Sequence, residues 1–109
     1  MAIQKAGLMQ FQDLFEVVGA GAFTVDMANA ATGSGTFAVA SVTVPGAALG
    51  DMVLVGPGVD VVDAPIVGHV TAANTVELVL LNNTAGAVNL ASAKYNVVVL
   101  RLRESYSVI

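Results

Sequence analysis

The chain has 109 residues, of which 56% are hydrophobic and 11% are charged, and its net charge is −4. This length fits one domain, and the acidic balance argues against the basic surface that nucleic-acid binding requires. Residues 27–50 form the longest stretch without a charge, but glycine, proline and hydroxyl side chains within it argue against a membrane-spanning helix. Soluble domains are typically about 45–50% apolar. The composition therefore predicts a homo-oligomer or a partner-bound chain that buries surplus apolar surface, with no nucleic acid and no membrane involved.

The N-terminal segment differs in pattern from the rest of the chain. Its apolar side chains recur at helical spacing, as Leu8, Phe11, Leu14, Phe15 and Val18. This spacing predicts an amphipathic helix over residues 7–18, and an extended arm lying on a neighbouring subunit is the alternative. We therefore divide the chain into an N-terminal arm or short helix (1–21) and a β-domain (22–109). The segment lacks the unbroken apolar core of a signal peptide, which predicts synthesis in the cytoplasm.

The β-domain consists of short segments rich in valine, threonine and phenylalanine, separated by turn residues. The predicted strands are Ala22–Ala28, Gly35–Val44, Asp51–Val55, Pro65–Ala72, Thr75–Leu81 and Lys94–Arg103. Ala73-Asn74 is typical of a tight hairpin turn, because asparagine tolerates positive φ. The continuous apolar run Val97–Leu100 predicts that the last strand lies near the centre of a sheet. This pattern predicts an all-β fold, a small single-domain β-sandwich or barrel.

Residues able to support catalysis or metal binding are few and scattered. His69 is the only histidine, and it lies within a predicted strand without a recognisable nucleophile beside it. Asp60 and Asp63, with Asp51 upstream, lack the spacing of a calcium-binding loop. Residues 33–38 match a loose dinucleotide-binding pattern, but they lead into a strand and not into a helix. The sequence therefore predicts no enzyme, no cofactor and no metal site.

Three stretches of the β-domain form a further pattern: PGAALGD at residues 45–51, AANTV at residues 72–76, and the loop and strand from Asn82 to Tyr95. In these stretches the chain resembles small structural proteins of tailed-bacteriophage virions, which include head decoration (cement) proteins. Such proteins often have a proline in the loop before the last strand, where this chain has Leu90. The resemblance covers roughly the last two thirds of the chain and does not extend to the N-terminal segment.

The resemblance implies a non-enzymatic protein that binds the major capsid protein on the outer capsid surface of the virion and stabilises the head. Decoration proteins are commonly trimers, so it also implies a homotrimer. The alternatives are another phage structural module (of the tail, baseplate or a fibre) or a ligand- or glycan-binding β-module. The apolar residues at the two chain ends predict the partner contacts: Leu8, Met9, Phe11, Leu14, Phe15, Tyr106, Val108 and Ile109.

Overall fold

Six strands and one short helix form the protein in a computed structural model that describes residues 11–27, 36–61, 64–82 and 90–103. The elements are α1 (Phe11–Leu14), β1 (Phe15–Val25), β2 (Thr36–Thr43), β3 (Met52–Pro57), β4 (Ile66–Ala72), β5 (Thr75–Asn82) and β6 (Ala93–Leu102). The fold is all-β, as the sequence predicts.

The strands form two antiparallel sheets of three strands each. Sheet A has the strand order β1-β6-β3, and sheet B has the order β2-β5-β4. The chain changes sheet after β1, β2, β3 and β5, so all strand pairs except the β4–β5 hairpin join strands that are distant in sequence. The facing sides of the sheets bury the core between them, which is the layered arrangement of a sandwich. Within the described ranges, the strands do not close into a barrel.

The core is built on the central strand of each sheet. These two strands bury alternate side chains completely, namely Val76, Leu78 and Leu80 in β5 and Tyr95, Val97 and Val99 in β6. Burying one large aliphatic side chain stabilises a fold by about 1.5–3 kcal/mol relative to leaving it exposed. The predicted central position of the last strand is confirmed, because β6 pairs with both β1 and β3.

The N-terminal segment differs from its predicted structure. Within the described residues, the helix covers only Phe11–Leu14, and Phe15–Val25 pairs with β6 as strand β1. The helix predicted for residues 15–18 is therefore wrong, and the boundary predicted between residues 21 and 22 falls inside β1. Two factors override the helical spacing: β1 contains β-branched residues and glycines, which are poor helix formers, and β6 offers it a complete ladder of hydrogen bonds.

The other strands lie close to their predicted positions. The strands β2, β4, β5 and β6 agree with the prediction within one residue at each end, and β3 extends two residues further, to Pro57. The hairpin turn at Ala73-Asn74 is confirmed, with Asn74 at a φ of 63°. Runs of β-branched and apolar residues between turn residues therefore located these strands correctly.

Close approach of the two sheets depends on a glycine in β4. A Cβ atom on Gly68 would lie 2.7 Å from Cγ1 of Val53 and 2.8 Å from Cγ2 of Val55, both on β3. These separations are shorter than van der Waals contact, so a side chain at this position would push β3 and β4 apart. The absence of a side chain at Gly68 thus allows β4 of sheet B to lie close to β3 of sheet A.

The connector between β2 and β3, residues 44–51, carries the chain from sheet B to sheet A through two tight turns. In the first turn, the amide of Ala47 donates to the carbonyl of Val44 over 3.1 Å, and Gly46 has a φ of 92°. In the second turn, the amide of Asp51 donates to the carbonyl of Ala48, and Gly50 has a φ of 97°. Glycine is favoured at both positions because a positive φ is costly for other residues.

Polar side chains from both sheets hold this connector in place. Arg101 of β6 donates from Nε and Nη2 to the two carboxylate oxygens of Asp51, over 2.8 Å each, and from Nη2 to the carbonyl of Gly46 over 3.0 Å. Asp51 also accepts from the amide of Ala48, and its side chain is only 4% exposed. From sheet B, Oδ1 of Asn74 accepts from the amide of Gly46 over 2.8 Å. Strand β6 and the turn between β4 and β5, which are distant in sequence, therefore both bind this connector.

Replacing Gly68 with alanine is expected to lower the free energy of unfolding by about 1–3 kcal/mol, because the new methyl group overpacks the contact with β3. Gly56→Ala is the matched control. A Cβ at Gly56 would meet only ordinary contacts, 3.7 Å from Cβ of Asn96. Urea denaturation of both variants checks the prediction, and equal effects at the two positions would contradict it.

Asp51→Asn is expected to lower the free energy of unfolding at pH 7 by about 1.5–3 kcal/mol, because it replaces charge-assisted hydrogen bonds with neutral ones in a buried position. Asp26→Asn is the control, because Asp26 is exposed just after β1. It should change the free energy of unfolding by less than about 0.5 kcal/mol. Thermal and urea denaturation measure both values.

The same carboxylate makes stability depend on pH. The hydrogen bonds from Arg101 hold the pKa of Asp51 below its ordinary value of 3.8. Because the pKa is lower in the folded state, the carboxylate stabilises the fold above about pH 4, and this contribution is lost as the pH falls through the folded pKa. The free energy of unfolding of Asp51→Asn should therefore fall less than that of the wild type between pH 5 and pH 2. Parallel curves for the two proteins would contradict this assignment.

Candidate interaction surface

The outer face of sheet A is apolar over the half that lies nearest the connector. Strand pairing places the following side chains side by side on this face: Phe15, Val17, Met52, Leu54, Val98, Leu100 and Leu102. Val17, Met52, Leu54 and Leu102 are exposed, although they are large and hydrophobic. We call these seven residues the A face. Phe15 and Val98 are half-buried, and Leu100, which lies between Val17 and Met52, is buried. Exposed apolar side chains that cluster in this way often mark a contact surface.

The outer face of sheet B has a second apolar surface. Its members are Phe37, Val39, Val67, Val79 and Leu81, which occupy neighbouring positions on β2, β4 and β5. Phe37, Val39 and Val67 are exposed, and the other two are half-buried. We call these five residues the B face. Both layers of the sandwich therefore have an apolar inner side and a partly apolar outer side.

Charged groups border the two faces but do not interrupt them. Along β6, Asn96 and then Lys94 follow the last row of the A face. Beside the B face, His69 and Glu77 share the next row, with Nε2 of the histidine 3.5 Å from Oε1 of the glutamate. A partner could therefore cover either face without burying an unpaired charge, which would be costly.

An exposed leucine lies at the tip of the connector. Leu49 is 73% exposed and lies within the second turn, three residues before Met52 of the A face. The connector is held by Arg101 and Asn74, so Leu49 projects from a rigid loop. It adds an apolar side chain at the same end of sheet A.

The residues considered for chemistry are not brought together. His69 lies beside Glu77 on the exposed side of β4, while Asp51 is engaged by Arg101 and Asp60 is exposed. Asp63 lies outside the described residues. Across the ranges that the structure covers, no group of three acidic or histidine side chains could hold a metal ion, and no pocket is present.

Tyr95 is a buried polar side chain in the core. Its hydroxyl has no hydrogen-bond partner in the described part of the chain, and burial raises its pKa above the ordinary value of 10.0. The phenol is therefore neutral at physiological pH. Its ring fills the core of sheet A opposite Phe23 and Pro57 of the neighbouring strands.

The predicted contact residues lie only partly within the described chain. Phe15 belongs to the A face, and Leu14 ends α1 beside it; both are half-buried. Phe11 begins α1, but its side chain is outside the description. The remaining predicted contacts, which also lie outside it, are Leu8, Met9, Tyr106, Val108 and Ile109.

Sequence reasoning missed most of the A and B faces. A signal was present, because several strands have apolar residues at both odd and even positions, as in Phe37-Ala38-Val39-Ala40 of β2. A strand in a two-layer fold buries only one side, so this pattern leaves apolar side chains on the outside. Strand order was needed to show that these exposed residues are neighbours.

Comparisons with known proteins found no relative of this chain. None of the described helices is long and apolar enough to cross a membrane. No family model, no curated protein and no solved structure matches this chain.

Proposed function

We propose that this chain is a non-enzymatic structural protein of a tailed-bacteriophage virion, a decoration protein that binds the outer capsid surface and stabilises the head. It is made in the host cytoplasm and binds the major capsid protein as a homo-oligomer, with three copies favoured by the resemblance. The observation that carries the proposal is the A face, an exposed apolar surface on a rigid sheet.

The size of the A face suits a docking surface. Its four exposed side chains together offer roughly 300 Å² of apolar area, within the range of functional patches on small proteins. Burying that area would contribute about 7 kcal/mol at 25 cal/mol per Å², before the cost of association is subtracted. A standard interface covers about 800 Å² on each partner. The A face is therefore the centre of the contact, and further residues complete it.

The described residues nearest the two chain ends adjoin the A face. The chain enters β1 after Leu14 and leaves β6 at Arg103, and the amide of Arg103 donates to the carbonyl of Leu14 over 2.9 Å. Phe15 and Leu102, the neighbouring residues, are paired on the A face. Leu14, Phe15, Leu102 and Arg103 therefore lie together at one edge of that surface.

Two of the three stretches that carry the resemblance have structural roles among the described residues. PGAALGD forms the two turns of the connector, and the asparagine of AANTV is Asn74, which holds that connector. Both motifs therefore shape the connector between the two sheets. The contact with the capsid depends instead on the exposed side chains of sheet A.

Leu54→Lys is expected to weaken binding to capsids at least tenfold, because it removes exposed apolar area from the A face and places a charge there. The assay mixes purified protein with heads assembled without it and measures occupancy by sedimentation. The wild type should saturate at a fixed number of copies per head, at symmetry-related positions visible by electron microscopy.

Thr24→Lys is the matched control for this test. Thr24 is exposed on the same outer side of sheet A, opposite Lys94 and away from the apolar rows. The control should bind like the wild type. Absence of wild-type binding to heads would overturn the proposed function, and equal binding by the Leu54 variant would exclude the A face as the docking surface.

A further inference from the structure

The free edge of sheet B has features that permit pairing with another strand. Among the described strands, β2 is an edge strand that pairs on one side only, with β5. An edge strand presents unpaired backbone N–H and C=O groups along its open side. Natural proteins usually protect such edges with charges, prolines, irregular backbone or short length.

Three of the four described edge strands carry one of these protections. The backbone of β1 is irregular between Val17 and Gly19, and that of β4 between Val70 and Ala72. The third, β3, is six residues long and ends at Pro57. Sheet A and the β4 side of sheet B are therefore poor templates for a further strand.

The fourth edge, β2, carries none of them. Its eight residues, Thr36–Thr43, keep an unbroken register with β5 and include no charge, no proline and no glycine. Phe37 and Val39 are exposed on its outer side, and Ala38 and Val42 are buried on its inner side. A long, regular, uncharged edge with apolar side chains is the kind that joins another strand.

We propose that β2 pairs with β2 of a second copy in antiparallel orientation, around a twofold axis, so that the two copies of sheet B form one continuous six-stranded sheet. Antiparallel pairing of one strand with itself is self-complementary, which closes the contact at two copies. Because β2 is uncharged, the pairing sets no like charges opposite each other.

The apolar side chains near the junction fit this arrangement. Across the axis, Phe37 and Val39 of one copy come beside those of the other, and the two B faces merge. The area buried by one pair of eight-residue strands stays below the roughly 800 Å² per partner of a standard interface. The expected dissociation constant is therefore in the micromolar range.

This inference deepens the proposed function by naming one partner, a second copy of the chain. A twofold contact at β2 is compatible with threefold contacts elsewhere, and it would link neighbouring trimers on a surface. Self-association is measured on the purified full chain without capsids. Absence of self-association would therefore not contradict capsid binding, and absence of capsid binding would not contradict the β2 contact.

The experiment compares lysine at two exposed positions of sheet B. Val39 on β2 is 53% exposed and Val67 on β4 is 58% exposed, on the same outer side. Val39→Lys should raise the dissociation constant at least tenfold in sedimentation equilibrium, because the lysines of two copies meet at the junction. Val67→Lys should leave it within about twofold, because β4 lies at the far edge of the sheet. Circular dichroism of both variants confirms that each is folded.

A charge-exchange mixture tests the twofold arrangement itself. Val39→Glu alone should associate as weakly as Val39→Lys, whereas an equal mixture of the two should regain association, since the opposite charges are then near each other. A wild type that stays monomeric up to about 500 µM would overturn the proposal. Equal weakening of association by Val39→Lys and Val67→Lys would also overturn it, and would indicate that the B faces of two copies stack on each other. If the mixture of lysine and glutamate variants does not regain association, self-pairing of β2 is excluded.

Discussion

The hydrogen bonds from Arg101 to Asp51 fix the end of the connector that links the two sheets. Arg101 lies on the central strand of sheet A, and Asp51 ends the connector that arrives from sheet B. Asn74 holds the same connector from the hairpin of sheet B. The Asp51 side chain is 4% exposed and that of Arg101 is 41% exposed, so removing Arg101 would leave a buried carboxylate without its partner, at considerable cost. The pair therefore specifies one geometry for the crossing between sheets.

That geometry leaves the fold with more apolar surface than two layers can bury. Each sheet has three strands, and the core takes one side of each. The other side of sheet A exposes Val17 and Leu54, and the other side of sheet B exposes Phe37 and Val67. The high hydrophobic fraction of the chain is thus distributed over the core and two outer faces. Association is the physical means by which such faces are removed from water.

Much of the fold could be predicted from the sequence, and much less of the candidate surface. The hairpin at Asn74 and the central strand β6 followed from turn chemistry and from an uninterrupted apolar run. The helix expected up to Val18 was wrong beyond Leu14, because pairing with β6 decided the structure of that segment. The spacing of apolar residues indicates which side chains lie on the same side of a helix or strand. It does not indicate which other strand pairs with that segment.

The sequence by itself determined the fold class, the positions of the described strands other than β1, and the surplus of apolar residues. These properties follow from local propensity, period-2 alternation and composition, which act over a few residues or over the whole chain. Only the tertiary structure decided that Val17, Leu54 and Leu102 share a face, and that β2 is an edge while β6 is central. The physical reason is that strand order is set by contacts between residues far apart in the chain, as between Asp51 and Arg101, and no local pattern encodes them.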